Sequence, residues 1–154
     1  MVTAAMERAL GLALEARAAG DHPFGAVLEV DGVVVAEARN LVTTTHDITA
    51  HAETELVRVL ERTGRLGELA LGTVHTSCEP CPQCVGALFW AGARHVVFGL
   101  SAARLTELST ARGEAPYGFT ITAAELAAAS TAPMRVDGPV CEELAAEAHV
   151  GFWC

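Results

Sequence analysis

Two short stretches concentrate the side chains that hold metal ions and move protons. One is Thr49-Ala50-His51-Ala52-Glu53, and the other is Ser77-Cys78-Glu79-Pro80-Cys81-Pro82-Gln83-Cys84. Cys81 and Cys84 are three positions apart at an expected helix start, so their sulfurs share a face. Free backbone N–H groups and the positive dipole end favour thiolate over thiol there. Pro82 fits the first turn, where its missing N–H would have had no intrahelical partner. Two thiolates need a third ligand to make a catalytic zinc site that leaves its fourth position to water. His51, also at an expected helix start, is that ligand. Glu53 is two residues on, and first-turn side chains tilt back toward the helix end. It therefore reaches the water rather than the metal. Zinc lowers the pKa of a bound water to about 7, and a placed carboxylate adds roughly 10²–10⁴-fold as acid and base. The chemistry this pattern offers is hydrolysis.

Simpler readings exist for each half. A lone Cys-x-x-Cys also suits a redox dithiol or half of a structural zinc site. The dithiol reading lacks an early strand leading into the pair, as thioredoxin-like order requires. The structural-zinc reading needs a second pair, and Cys141 and Cys154 are thirteen apart. A zinc-stabilised binding domain without catalysis is the non-enzyme alternative, and it has no use for Glu53.

The elements that must place these residues are legible along most of the chain. Met6, Leu10, Leu14 and Ala18 recur at helical spacing, which predicts a helix over 2–19 ending near Gly20. Phe24–Val30 and Val33–Ala38 read as strands joined by Asp31-Gly32, a hairpin signal. The polar stretch 40–49 reads as a loop, and 51–65 as a helix with Leu56, Val57 and Leu60 on one face. A strand over 71–76, a helix over 81–91 and a strand over 95–99 follow. Strands alternating with helices imply a parallel segment beside the hairpin. The fold class expected is α/β: a three-layer α/β/α sandwich around a mixed five-stranded sheet. Past Ser101 the pattern predicts a short helix to Leu108, a loop over 109–118 and helices over 123–129 and 141–150. A strand over 134–136 separates the last two. Phe152 and Trp153 place apolar surface at the chain's end, which predicts that the end docks.

Composition narrows the partners. The chain has 154 residues, the length of one domain, and 51% of them are hydrophobic. Its net charge is −9 and its ten basic residues are scattered arginines. Such a chain is repelled by nucleic-acid phosphates, so a small neutral substrate fits better than a polynucleotide. Five cysteines, an odd number, argue against a disulfide framework. The first twenty residues carry Glu7, Arg8, Glu15 and Arg17 and lack an apolar centre, and the apolar run 85–93 is too short for a bilayer. A cytoplasmic location is expected.

His-x-Glu, then Pro-Cys-x-x-Cys opening the next helix after one strand, matches the zinc deaminase signature. With His22-Pro23-Phe24-Gly25-Ala26-Val27, Asn40 and Asp47-Ile48-Thr49, the chain resembles the cytidine deaminase-like superfamily over about residues 3–100. The branch it is similar to holds bacterial guanine deaminases and tRNA adenosine deaminases. Ile48 departs from the proline usual there. Pro82 and the run Gly86-Ala87-Leu88-Phe89-Trp90-Ala91 look like guanine deaminase. The tRNA enzymes carry a smaller apolar residue at the first position, no tryptophan at the second, and a basic, glycine-rich stretch where this chain has 100–109.

The resemblance implies one Zn²⁺ per chain on His51, Cys81 and Cys84, with Glu53 as the proton carrier. It implies hydrolytic deamination of a free nucleobase, guanine first, with cytosine, isocytosine or an amino-triazine as alternatives. Editing of tRNA adenosine is a further alternative. Asn40 would hydrogen-bond the base, Phe24 and Trp90 would line it, and Glu79 would position polar edges. Ala52, Glu114, Tyr117 and Trp153 complete the expected substrate contacts. A homodimer is implied, with a C-terminal segment that closes the site and is sometimes exchanged between subunits. His46, His75, His95 and His149 read as structural or surface residues, and Cys78 as a small buried hydrophobe.

Overall fold

The computed structural model describes residues 1–110 and 114–153. Gly113 of the expected loop and Cys154 lie outside the described residues. Helix α1 (Ala4–Ala18) starts behind Thr3, whose hydroxyl accepts the Met6 N–H at 3.2 Å. Strands β1 (Gly25–Val30) and β2 (Val33–Arg39) form the expected hairpin. Asp31 and Gly32 turn it with φ of 49° and 78°, the doubly positive geometry that suits the right-handed twist of the strands. Gly25 answers a packing need, since a Cβ there would stand 2.2 Å from the Ala9 carbonyl oxygen of α1.

The polar stretch after β2 is not a plain loop, because it contains the short helix α2 (Val42–Thr45). The cause is Asp21, fully buried at the end of α1. Its carboxylate accepts the Thr44 N–H at 2.7 Å and the Thr44 hydroxyl at 2.6 Å, and pairs with Arg39 at 2.9 Å. Helix α3 (Ala52–Arg62) follows, then a 3₁₀ turn (Leu66–Ala70) and strand β3 (Thr73–Cys78). This strand begins and ends two residues later than its apolar run. Its polar end is satisfied from within: Ser77 Oγ accepts the Gly25 N–H at 3.0 Å, and the Thr76 hydroxyl donates to the Cys78 carbonyl at 2.8 Å.

Helix α4 (Pro82–Ala91) and strand β4 (His95–Leu100) follow, then α5 (Ala102–Ser109), α6 (Ala123–Ala128), β5 (Arg135–Asp137) and α7 (Glu142–Ala146). The expected final helix stops early, at Ala146. The Arg17 guanidinium donates to the carbonyls of Ala148 at 2.9 Å and Val150 at 2.7 Å and holds the segment after the helix against α1.

The five strands form one mixed sheet in the order β2-β1-β3-β4-β5. β1 runs antiparallel to β2 and β3, while β3, β4 and β5 are parallel. One face packs Leu28, Val74 and Val96 under α3, α4 and α6, with Leu56, Leu60 and Leu88 at its centre. The other packs Val27 and Leu100 under α1 and α7, with Met6, Leu10 and Leu12. The sandwich has three layers, as the sequence pattern requires. No helix among the described residues is long and apolar enough to cross a membrane.

Candidate metal centre and substrate site

Both halves of the chemistry sit where a helix begins. His51 is the N-cap of α3 and Cys81 the N-cap of α4, each with extended backbone, and Cys84 lies in the first turn of α4. The two helix starts converge. His51 Nδ1 stands 3.6 Å from Cys81 Sγ and 3.4 Å from Cys84 Sγ, and the two sulfurs are 3.7 Å apart. All three ligand atoms lie within 4.8 Å of one another. Two sulfurs and an imidazole nitrogen at this spacing fit a four-coordinate zinc that keeps one position for a non-protein ligand.

The electrostatics agree with that use. Hydrogen bonding from the Cys84 thiol and from His51 outweighs burial and brings Cys81 down to about 4. Cys84 is held up as a thiol, first by its bond to Cys81 and then by burial. His51 is raised, chiefly by its hydrogen bond with Cys81. One thiolate is therefore ready, and a metal ion would displace the remaining thiol proton. Glu53 is buried, and that burial is the main cause of its raised pKa. Its Oε2 stands 3.3 Å from Cys84 Sγ, so the carboxyl faces the cluster.

Loop bonds hold the two halves together. The Thr49 carbonyl, two residues before His51, accepts the Thr54 hydroxyl at 2.5 Å and the Gln83 Nε2 amide at 3.2 Å. Gln83 lies between the two cysteines, so it ties the histidine half to the cysteine half. Asp47 accepts the Thr49 N–H at 2.8 Å, and Arg58 donates to the Thr49 hydroxyl at 3.1 Å. These bonds fix the turn around Ile48, which stands exposed.

Four of the expected substrate residues are buried or packed against other side chains. Asn40 is buried, and its Oδ1 accepts the Val42 N–H at 3.0 Å. Ala52 is fully buried at the first position of α3. Phe24 lies just before β1 rather than within it, with its ring centroid 5.2 Å from His149 and 6.2 Å from Trp153. Trp153 reaches His22 at 5.4 Å and donates its indole N–H to His149 Nδ1 at 3.2 Å. His22 in turn is close enough to His51 for that imidazole, after burial, to lower its pKa. The chain's end thus docks on its own chain, against His22, Phe24 and His149.

Of the other four expected contacts, three are exposed side chains and one is a carboxylate already engaged by backbone. Trp90 is 86% exposed. The buried side of α4 is Cys84, Val85 and Leu88, and helical spacing turns position 90 away from it. Tyr117 and Glu114 are also exposed to solvent. Glu79 spends both carboxylate oxygens on backbone, accepting the Ala102 N–H at 2.9 Å and the Ala123 N–H at 2.8 Å.

Conversely, His22, Gln83 and His149 stand at the site without having been expected there. His22 shares a motif with Phe24, which was the available signal. The other two depend on folding that brings distant segments together.

Residues 2–100 match the cytidine and deoxycytidylate deaminase zinc-binding region. The chain belongs to this family. It is 37% identical to a probable cytosine deaminase of Schizosaccharomyces pombe over 150 residues, covering 96% of this chain and 90% of that relative. It is 44% identical to guanine deaminase of Bacillus subtilis over 94 residues, which is 60% of each protein. A guanine deaminase structure from Nitrosomonas europaea superposes with a TM-score of 0.76 at 23% identity, covering 96% of this chain and 84% of that one. At that identity the last likeness speaks for the fold, and it is the mixed-sheet α/β fold described above.

Proposed function

We propose that this deaminase hydrolyses the exocyclic amine from a free nitrogen heterocycle of cytosine size. The observation that carries the reading is the buried Glu53 carboxyl, 3.3 Å from Cys84 in a His-Cys-Cys cluster. His51, Cys81 and Cys84 would hold zinc, which when bound supplies a Lewis acid that makes water nucleophilic near neutral pH. Glu53 takes one proton from the water and passes it to the ring nitrogen, then takes the second proton from the hydroxyl added to the ring and passes it to the amine, which leaves as ammonia. Its raised pKa suits a group that must both accept and donate. Asn40 has its oxygen engaged by Val42, which leaves its amide N–H groups to donate to a ring acceptor. The Ala52 N–H has no intrahelical partner at the first turn of α3 and is a second donor. Phe24 and Trp153 form an aromatic wall, and the C-terminal segment closes the site from its own chain.

The choice of ring rests on extent. Sequence likeness to the probable cytosine deaminase extends over 150 residues, whereas sequence likeness to the Bacillus subtilis guanine deaminase covers 94. Guanine is the second reading, favoured by the higher identity over those residues. The test is ammonia release by zinc-loaded protein on cytosine, isocytosine, guanine, adenine, an amino-triazine and a tRNA anticodon stem. Turnover is expected on cytosine, with guanine slower. Turnover of the RNA alone would overturn the free-base reading, and guanine outpacing cytosine would reverse the ring assignment.

A further inference from the structure

We infer that Glu79 is a positioning residue, whose single carboxylate fastens the starts of α5 and α6 to the metal-ligand loop and so sets the outer wall of the substrate's approach. This inference rests on the deaminase reading for its activity readout. Glu79 ends the run from β3, two residues before Cys81, and its own N–H donates to the Leu100 carbonyl at 2.7 Å. One oxygen accepts the N–H of Ala102, the first residue of α5, and the other that of Ala123, the first residue of α6.

Each helix already has its own side-chain cap. The Ser101 hydroxyl accepts the Arg104 N–H, and Thr122 with Glu125 forms a capping box. These local caps leave the first-turn N–H groups of Ala102 and Ala123 free, and one carboxylate serves both. Its negative charge meets the positive ends of two helix dipoles. Local caps would suffice to start both helices; a shared acceptor fixes where they start relative to each other.

What lies between those helices gives the arrangement its consequence. The chain from Pro116 to Thr122, with Ala103 and Thr106 of α5 opposite, lines a cavity of about 530 Å³ that has Glu79 in its wall. Tyr117 and Phe119 stand exposed on this segment. Glu79 is also near the chemistry. It adjoins in the chain the buried Cys78, whose thiol is raised first by burial and then by the charges of Glu53 and Glu79. Glu79 links the loop that carries Cys81 to the segment that borders the cavity.

The experiment uses full-length zinc-loaded protein and the variants Glu79→Gln and Glu79→Ala. Glutamine keeps the shape but has one acceptor oxygen and presents N–H to the other helix. Amide hydrogen exchange by NMR is expected to show lost protection at Ala102 or Ala123 in Glu79→Gln and at both in Glu79→Ala. Zinc content should stay at one per chain. With the ring that the unmodified protein turns over, cytosine first, KM should rise about tenfold in Glu79→Ala, less in Glu79→Gln, with kcat nearly unchanged. Unchanged protection at both amides would overturn the tie. Lost protection with unaltered KM would overturn its bearing on the site, and a fall in kcat alone would place Glu79 in the chemistry. If the unmodified protein releases no ammonia from any ring, the deaminase reading fails, while the exchange result still decides whether Glu79 makes the tie.

Discussion

Glu53 is the residue on which the proposed chemistry turns. It faces the metal cluster without belonging to the ligand set, so its substitution separates catalysis from metal binding. Glu53→Gln should retain zinc and lose activity by about 10²-fold or more. Metal analysis beside turnover checks this, and undiminished turnover would contradict the role. His149 sets a second expectation at this scale. Burial, with Arg17 nearby, brings its pKa down to about 4. An unfolded histidine titrates near about 6.5, so between these values the unfolded chain binds a proton that the folded chain refuses. The stability contribution is whole above about pH 6.5 and falls as the pH drops toward 4, with a ceiling of about 3 kcal/mol. Thermal unfolding from pH 7 to 4.5 should show a shallower fall in His149→Gln than in the unmodified protein; equal slopes would contradict it.

At the scale of elements, the structure depends on polar anchors as much as on apolar faces. Asp21 joins the end of α1 to α2 and to Arg39 of β2. Burial alone would raise its carboxyl, but the bonds from Thr44 and Arg39 outweigh this and lower it. Asp21→Ala leaves Arg39 without that partner and should cost about 3 kcal/mol, measured by chemical denaturation. Gln83 is the corresponding anchor between the halves of the metal site. Gln83→Ala should weaken zinc binding about tenfold in competition with a chelating dye.

These anchors explain what the sequence could and could not disclose. Helices α1, α3 and α4 and the β1–β2 hairpin follow from periodicity and turn chemistry, because their burial is one-sided and local. The grouping of His51, Cys81 and Cys84 was legible because helix starts and spacing define it without reference to distant segments. Helix α2 was not legible, since its cause is a carboxylate 23 residues earlier. The placement of Trp90 and Glu79 was not legible either. Family likeness marks such positions, but only helix phase and the neighbouring helix starts decide which way the side chains turn.

At the scale of the whole molecule, the last residues matter most. The chain's end returns to α1 through Arg17 and brings Trp153 within 5.4 Å of the His22 ring. Zinc held by His51, Cys81 and Cys84 would join α3 to α4, so its removal should also lower the unfolding temperature as metal binding is linked to folding. The most direct test of the central claim is ammonia release from cytosine by the protein as purified, after chelation, and after zinc is restored. The account predicts turnover that chelation abolishes and that one equivalent of zinc per chain recovers. Full turnover by the metal-free protein, or none by the zinc-loaded protein on any ring tested, would contradict it.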